Sequence, residues 1–197
     1  MSKMKFTTAV TYGGVQRKKE VTITGDGALT RDPEVPAAKT GSLSTRTDND
    51  TGIIAAQSGH GIISTDKVDV HWSGGSRANM TATVSSNNIT VDGGTGDNLP
   101  AAATNVTLMK PATETFALEG DNIKALEFYC DAQARVTIFD GSNAVLASIG
   151  VNAKEVYPWN NQDGSTNPLA GVTAATAKFS HADSTAARTT ELTAVFN

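Results

Sequence analysis

The chain has a single cysteine, Cys130, so no intramolecular disulfide can brace it. That residue ends the apolar run Leu126-Glu127-Phe128-Tyr129-Cys130, with no base or cluster of positive charge beside it to make a reactive thiolate. It is expected to be buried and inert. Aromatic residues are scarce, 6% of the chain, and alanine supplies much of the 39% hydrophobic fraction. Alanine buries little area, and burial stabilises by only about 25 cal/mol per Å². Two small cores in 197 residues fall in the size range where an isolated domain is marginal, which points to support from neighbouring subunits. No apolar stretch approaches the ~20 residues that span a bilayer, so no membrane partner is expected. Residues Met1 to Phe6 also lack the apolar segment of a secretory signal, and synthesis in a reducing cytoplasm is expected. Positive charge is short as well. A net charge of −4 and a pI near 5.3, with Arg17-Lys18-Lys19 the one basic cluster, argue against direct nucleic-acid binding, which needs a concentrated basic surface.

The chemistry of catalysis is equally sparse. His60, His71 and His181 lie far apart, without the paired spacing of a metal site. His71 falls between Val70 and Trp72 in an alternating segment, so it is expected to face solvent. Asp92-Gly93-Gly94-Thr95-Gly96-Asp97 resembles a calcium-binding repeat only superficially: it occurs once, and its aspartate follows the last glycine directly. A glycine-rich surface loop is the simpler reading. No Gly-x-Ser-x-Gly elbow, phosphate-binding loop or complete dinucleotide fingerprint occurs. The chain is expected not to be an enzyme and to hold no cofactor or metal.

What the sequence does have is the strand period. Phe6, Val10 and Tyr12 alternate with smaller or polar residues, as do Val68, Val70 and Trp72, then Met80, Ala82 and Val84. Asn87-Asn88 offers a turn into Ile89 and Val91. The clearest hairpin is Arg135–Phe139, the turn residues Asp140-Gly141-Ser142-Asn143, and Ala144–Ala147. The fold class is therefore predicted as all-β, in two β-rich units. The first, residues 1–110, would be a small β-barrel or irregular sandwich; the second, residues 112–197, a jelly-roll-like β-sandwich. Residues 26–41 carry Pro33, Pro36 and Gly41 and read as an extended arm or loop.

Candidate interaction residues follow from aromatics near loops and from the polar N-terminus. Trp72 precedes Ser73-Gly74-Gly75, and Tyr157-Pro158-Trp159 opens a loop rich in Asn, Gly and Pro. Each of these rings either closes the end of a core or presents a contact surface, for a subunit or a sugar. Met1, Lys3 and Lys5 belong to a terminal segment suited to lying across a neighbour.

Residues Ser58-Gly59-His60-Gly61-Ile62-Ile63-Ser64-Thr65-Asp66-Lys67-Val68-Asp69-Val70 resemble a small β module of phage virion and tail proteins. There a His-Gly-apolar turn precedes a polar turn and an alternating strand; this chain lacks the glycine expected between Thr65 and Asp66. Residues 134–159 are similar in texture to β-sandwich domains of phage head-decoration and fibre proteins. The resemblance implies a virion structural protein of a tailed bacteriophage, most simply a capsid decoration or cement protein. Its expected partners are itself, as a homo-oligomer with a trimer favoured because particles offer three-fold sites, and major capsid or tail subunits. A tail-tube protein and a carbohydrate-binding or adhesin module are the two rival expectations.

Overall fold

The computed structural model describes residues 2–12, 15–95, 99–162 and 164–197. The chain begins with two strands of equal length, β1 (Ser2–Tyr12) and β2 (Val15–Gly25), followed by the short β3 (Gly27–Arg31) and β4 (Glu34–Val35). Next come β5 (Lys39–Arg46), β6 (Thr51–Ala56), β7 (Lys67–Trp72), β8 (Gly75–Ser85), β9 (Asn88–Asp92) and β10 (Asn105–Met109). The last seven strands are β11 (Ala112–Glu119), β12 (Ile123–Cys130), β13 (Ala134–Phe139), β14 (Val145–Val151), β15 (Val156–Asn160), β16 (Thr173–His181) and β17 (Arg188–Phe196). The protein is all-β.

Residues 39–109 close into a six-stranded barrel in the order β10-β5-β6-β9-β8-β7, every neighbour antiparallel. Closure leaves the barrel no free edge. Its interior takes one face of each strand: Leu43, Ile54, Val68, Val70, Met80, Ile89, Val91 and Leu108 are buried in one cluster. Residues that alternate with these, such as Thr81, Thr83 and Asn88, are exposed. The β8–β9 hairpin turns one residue earlier than Asn87-Asn88 suggested. Ser85 pairs with Asn88, so Ser86 and Asn87 form the turn, and Ser86 takes the left-handed conformation with φ 56°.

Two sheets, β11-β16-β13-β14 and β15-β12-β17-β3, face each other across a second core. Phe116, Leu126, Phe128, Val136, Ile138, Ile149, Phe179 and Leu192 fill it, and Cys130 lies there fully buried. Burial pushes the Cys130 thiol up. The β13–β14 hairpin is held by Asp140, whose Oδ1 accepts from the backbone N–H groups of Ser142 and Ala144 and from the Ser142 hydroxyl, each at 2.8 Å. This is the side-chain mimicry of a turn that favours aspartate there.

Residues 26–41, expected as an irregular arm or loop, are instead largely built into sheets. β3 pairs with β17 from Gly27↔Phe196 to Arg31↔Leu192, and β4 pairs with the start of β17. The prolines are tolerated because β3 is an edge strand and Pro33 and Pro36 flank β4 rather than interrupt a central ladder. Residues 27–35 thus belong spatially to the C-terminal sheets, and the chain returns to build the barrel afterwards.

β1 and β2 form a separate two-stranded sheet, in continuous register from Ser2↔Gly25 to Tyr12↔Val15. Among the described residues it is anchored at its base. Met4 packs against Ala125 and Val195, and the Lys124 ammonium donates to the Thr24 carbonyl at 3.4 Å. Gly25 permits the chain to pass close to Phe196, whose backbone carbonyl any Cβ at this position would strike.

Candidate functional site: the seam between barrel and sandwich

The outer face of β7 does not meet water. Alternation places Val68 and Val70 inside the barrel and points Asp69 and His71 outwards, but the sandwich strands β13 and β16 cover that side. Asp69 is 2% exposed, and His71 and Ser180 are fully buried. His71 was expected to face solvent, and that expectation is corrected: a single sequence shows which face of a strand is polar, and does not show that a second layer covers it.

The covered groups form a chain of hydrogen bonds between the two halves. The Ser180 hydroxyl donates to Asp69 Oδ2 at 2.5 Å, and the Asn79 backbone N–H donates to Oδ1 at 2.9 Å. Burial raises the Asp69 carboxyl above its ordinary value, partly offset by those two bonds and by the charges of Arg135 and Lys178. Ser180 has one proton and gives it to Asp69. His71 Nε2, 3.1 Å from Ser180 Oγ, must therefore donate to that oxygen. That fixes His71 Nδ1 as a bare acceptor, and it has no hydrogen-bond partner. Burial, with the nearby Arg135 charge and His181, pushes the His71 imidazole down to about 3, so the ring is neutral.

Other bonds cross the same seam. Arg135 Nε donates to Ser76 Oγ at 2.8 Å, and Gln133 Nε2 to the Gly75 carbonyl at 3.0 Å. His181 is satisfied at both ring nitrogens: Nε2 donates to the Val35 carbonyl at 2.8 Å, and Nδ1 accepts from the Asp183 N–H at 3.1 Å. Ser180 and His71 resemble parts of a nucleophile–base pair, but the serine is wholly enclosed and its proton is committed to Asp69. The arrangement fastens two layers together; it does not present a nucleophile to a substrate.

A cleft of about 470 Å³ opens along the seam beside this network. It is lined by Trp72, His71, Thr107, Thr40, Asn105 and Gln133, among others, and no Asp, Glu, Lys or Arg contributes to it. Trp72 is half-buried, packed on the barrel core and against Gly75, where a Cβ would sit 2.8 Å from the indole. Thr107 pairs with His71 across β10 and β7, and its Oγ1 is a second buried polar atom without a partner.

The remaining sequence candidates do not join this site. Trp159 is 5% exposed in the sandwich core, its indole N–H donating to the Ser165 carbonyl at 3.4 Å. It closes the core and offers no contact surface, because β15 turns it inward against β12. Tyr157, also on β15, is half-buried against the same core. Lys3 and Lys5 sit on β1, opposite Thr24 and Thr22; Met1 lies outside the described residues. Asp92 Oδ1 caps its own turn by accepting from the Gly94 N–H at 2.8 Å, while residues 96–98 of that loop lie outside the described residues. His60 also does local work, its Nδ1 accepting from the Ile62 N–H at 3.1 Å. Among the described residues no three His, Cys, Asp or Glu side chains gather as a metal-binding group, and no helix is long and apolar enough to cross a membrane.

Sequence reasoning singled out Trp72 but missed Asp69, Ser180 and the cleft. The only signal for the network was two polar residues, Asp69 and His71, on a strand otherwise rich in buried residues. Ser180 is 111 positions from Asp69, and nothing local links them.

Fold and seam together define an all-β protein in which a closed barrel and a two-sheet sandwich are joined through a buried polar network. Comparison with known proteins finds no matching family model, no matching curated protein and no matching solved structure.

Proposed function

We propose that the chain is a structural protein of a tailed-bacteriophage virion, a capsid decoration or cement protein that acts as a homo-oligomer through repeated interfaces. The observation that carries this reading is the β1–β2 arm. Eleven residues in each strand extend about 36 Å at strand rise, and among the described residues the two strands pair only with each other. An isolated two-stranded hairpin is marginal in water, so an arm of this length is best understood with a neighbour to lie against. Its backbone register runs unbroken from Ser2↔Gly25 to Tyr12↔Val15, and Met4 is buried at its base against Ala125 and Val195. The phage setting draws support from the resemblance of residues 58–70 and 134–159 to virion modules.

Many weak contacts of this kind, repeated over a shell, add up through multivalency. The same arm would also serve a tail-tube subunit that reaches the next ring. Removal of residues 1–24 tests the role, because it leaves the barrel, the sandwich and β3 intact. The truncated protein should keep its circular-dichroism spectrum and a cooperative melt, yet sediment as a monomer and fail to bind particles. Unchanged assembly and particle binding would refute the arm's role.

A further inference from the structure

From the free edge of β14 we infer a contact between two copies of this chain, in which β14 of one pairs antiparallel with β14 of the other about a two-fold axis at Ser148. Among the described residues β14 pairs only with β13. The opposite side of the strand therefore carries unpaired backbone N–H and C=O groups, a template for another strand. Folded proteins guard such edges with charge, proline or shortness, and the other edges of this sandwich are guarded. β11 carries Glu114 and Glu119, β15 carries Pro158, and β3 is five residues long and ends in Arg31. β14, Val-Leu-Ala-Ser-Ile-Gly-Val, runs for seven residues with neither charge nor proline. Its one irregularity, at Leu146, lies near the start of the strand and leaves Ala147–Val151 in continuous register with β13.

The side chains along this flank select a second copy as the occupant. Val145 and Leu146, at the start of β14, are 50% and 38% exposed, and Val156, at the start of β15, is 45% exposed. The turn Asn152–Glu155 is closed by a hydrogen bond from the Glu155 N–H to the Asn152 carbonyl at 3.0 Å, and it brings β15 back beside β14. Each end of the strand thus has exposed apolar surface. Antiparallel pairing centred on Ser148 sets Val145 opposite Val151 of the second copy and Leu146 opposite its Gly150. The apolar start of each strand then meets the apolar end of the other. Like charges directly opposite one another destabilise a strand pair, and none meet here; Lys154 and Glu155 stand in the turn, beyond the strand. A contact of this kind uses the same surface on both copies and closes as a dimer. Seven residues a side bury well under the ~1,200 Å² of a stable interface. The pair is therefore weak alone, and it forms at high concentration or where the arm already holds copies together. It rests on the homo-oligomer reading and adds to it a contact separate from the arm.

The test is disulfide trapping in the full-length protein, whose natural Cys130 is fully buried. At about 100 µM under mild oxidation, Ser148→Cys should form a covalent dimer about tenfold faster or more than Ile63→Cys, an exposed position away from the strand. Leu146→Cys and Gly150→Cys, set opposite each other by the register, should bridge when the two proteins are mixed. This second pair keeps the test open if Ser148→Cys, which loses hydroxyl contacts to Arg135 and Thr137, folds poorly; circular dichroism and melting check every variant. Adding Leu146→Lys to Ser148→Cys puts a guarding charge on the edge and should slow trapping to the Ile63→Cys rate. The cysteines read β14 alone, so this contact can fail while arm-dependent assembly stands, and the reverse. The inference is overturned if neither Ser148→Cys nor the mixed pair outruns Ile63→Cys, or if Leu146→Lys leaves trapping unchanged. Bridging of Ser148→Cys to a different protein in particle-containing lysate, in preference to its own copy, would overturn it as well.

Discussion

Acidification should weaken this fold through one side chain, His71. Its imidazole is fully buried and held neutral, with a pKa near 3 against 6.5 for an exposed histidine. In the unfolded chain it takes up a proton as pH falls below about 6.5, while in the folded protein it does not. Proton uptake then favours unfolding, so the stability is fully present above about pH 6.5 and is lost as pH falls towards 3. At pH 4 the difference in proton binding amounts to about 3 kcal/mol relative to pH 7, a large share of the 5–15 kcal/mol typical of a domain. Other groups add their own acid dependence. Asp66 and Asp183 are held below the ordinary carboxylate range by their hydrogen bonds and by Lys110 and Arg188, so they also lose stability in acid. Asp69, raised by burial, acts in the opposite sense and gains relative stability as it protonates. The contribution of His71 is isolated by His71→Gln, whose amide N–H can still donate to Ser180 but does not titrate in this range. Urea unfolding of both proteins at pH 7 and pH 4 should show the natural protein losing about 3 kcal/mol more than the variant. Parallel pH profiles, or an imidazole that titrates near 6.5 in the folded protein by NMR, would refute the reasoning.

The rest of the seam and the turn that closes the sandwich allow sharper local tests. Ser180→Ala removes the hydroxyl that serves Asp69 and His71 together, leaving the His71 Nε2–H without an acceptor and Asp69 with only the Asn79 N–H; it should cost roughly 2 kcal/mol or more in denaturant unfolding, whereas Ser142→Ala, in an exposed turn, should cost well under that. Gly120→Ala would drive a Cβ into the Leu169 carbonyl, a backbone atom that cannot swing aside, and should destabilise by at least about 1–3 kcal/mol. Gly141→Ala, with nothing within reach of the added carbon, should leave the melting temperature almost unchanged; equal effects at the two glycines would contradict the packing described around residues 120 and 169.

Much of the fold was legible because strand alternation and turn chemistry are local. Val136, Ile138 and the Asp140 turn announce their hairpin, and Val68, Val70, Met80 and Ala82 announce the barrel's inner face. What could not be read was which surfaces meet. β7 looks amphipathic, yet both of its faces are buried, because Asp69 and His71 share a partner, Ser180 of β16, more than a hundred positions away. Pro33 and Pro36 made residues 26–41 look irregular, although an edge strand has no ladder bond there to lose. Trp159 could be read either way, as closing a core or as a contact surface, because Asn160 and Asn161 follow it and one residue's step along β15 is enough to change inside for outside. Trp72 could be flagged from its place before a glycine turn. The cleft beside it exists only because Gln133 and Ala182 of the sandwich complete the wall.

The virion assignment stands or falls on where the protein resides. An antibody to the chain, followed through a density gradient of lysate from its source, gives the direct answer. The account expects the protein to band with DNA-filled particles, in many copies per particle for a shell decoration or in fewer for a tail component. Recovery at the top of the gradient, as free protein with none in the particle band, would contradict it.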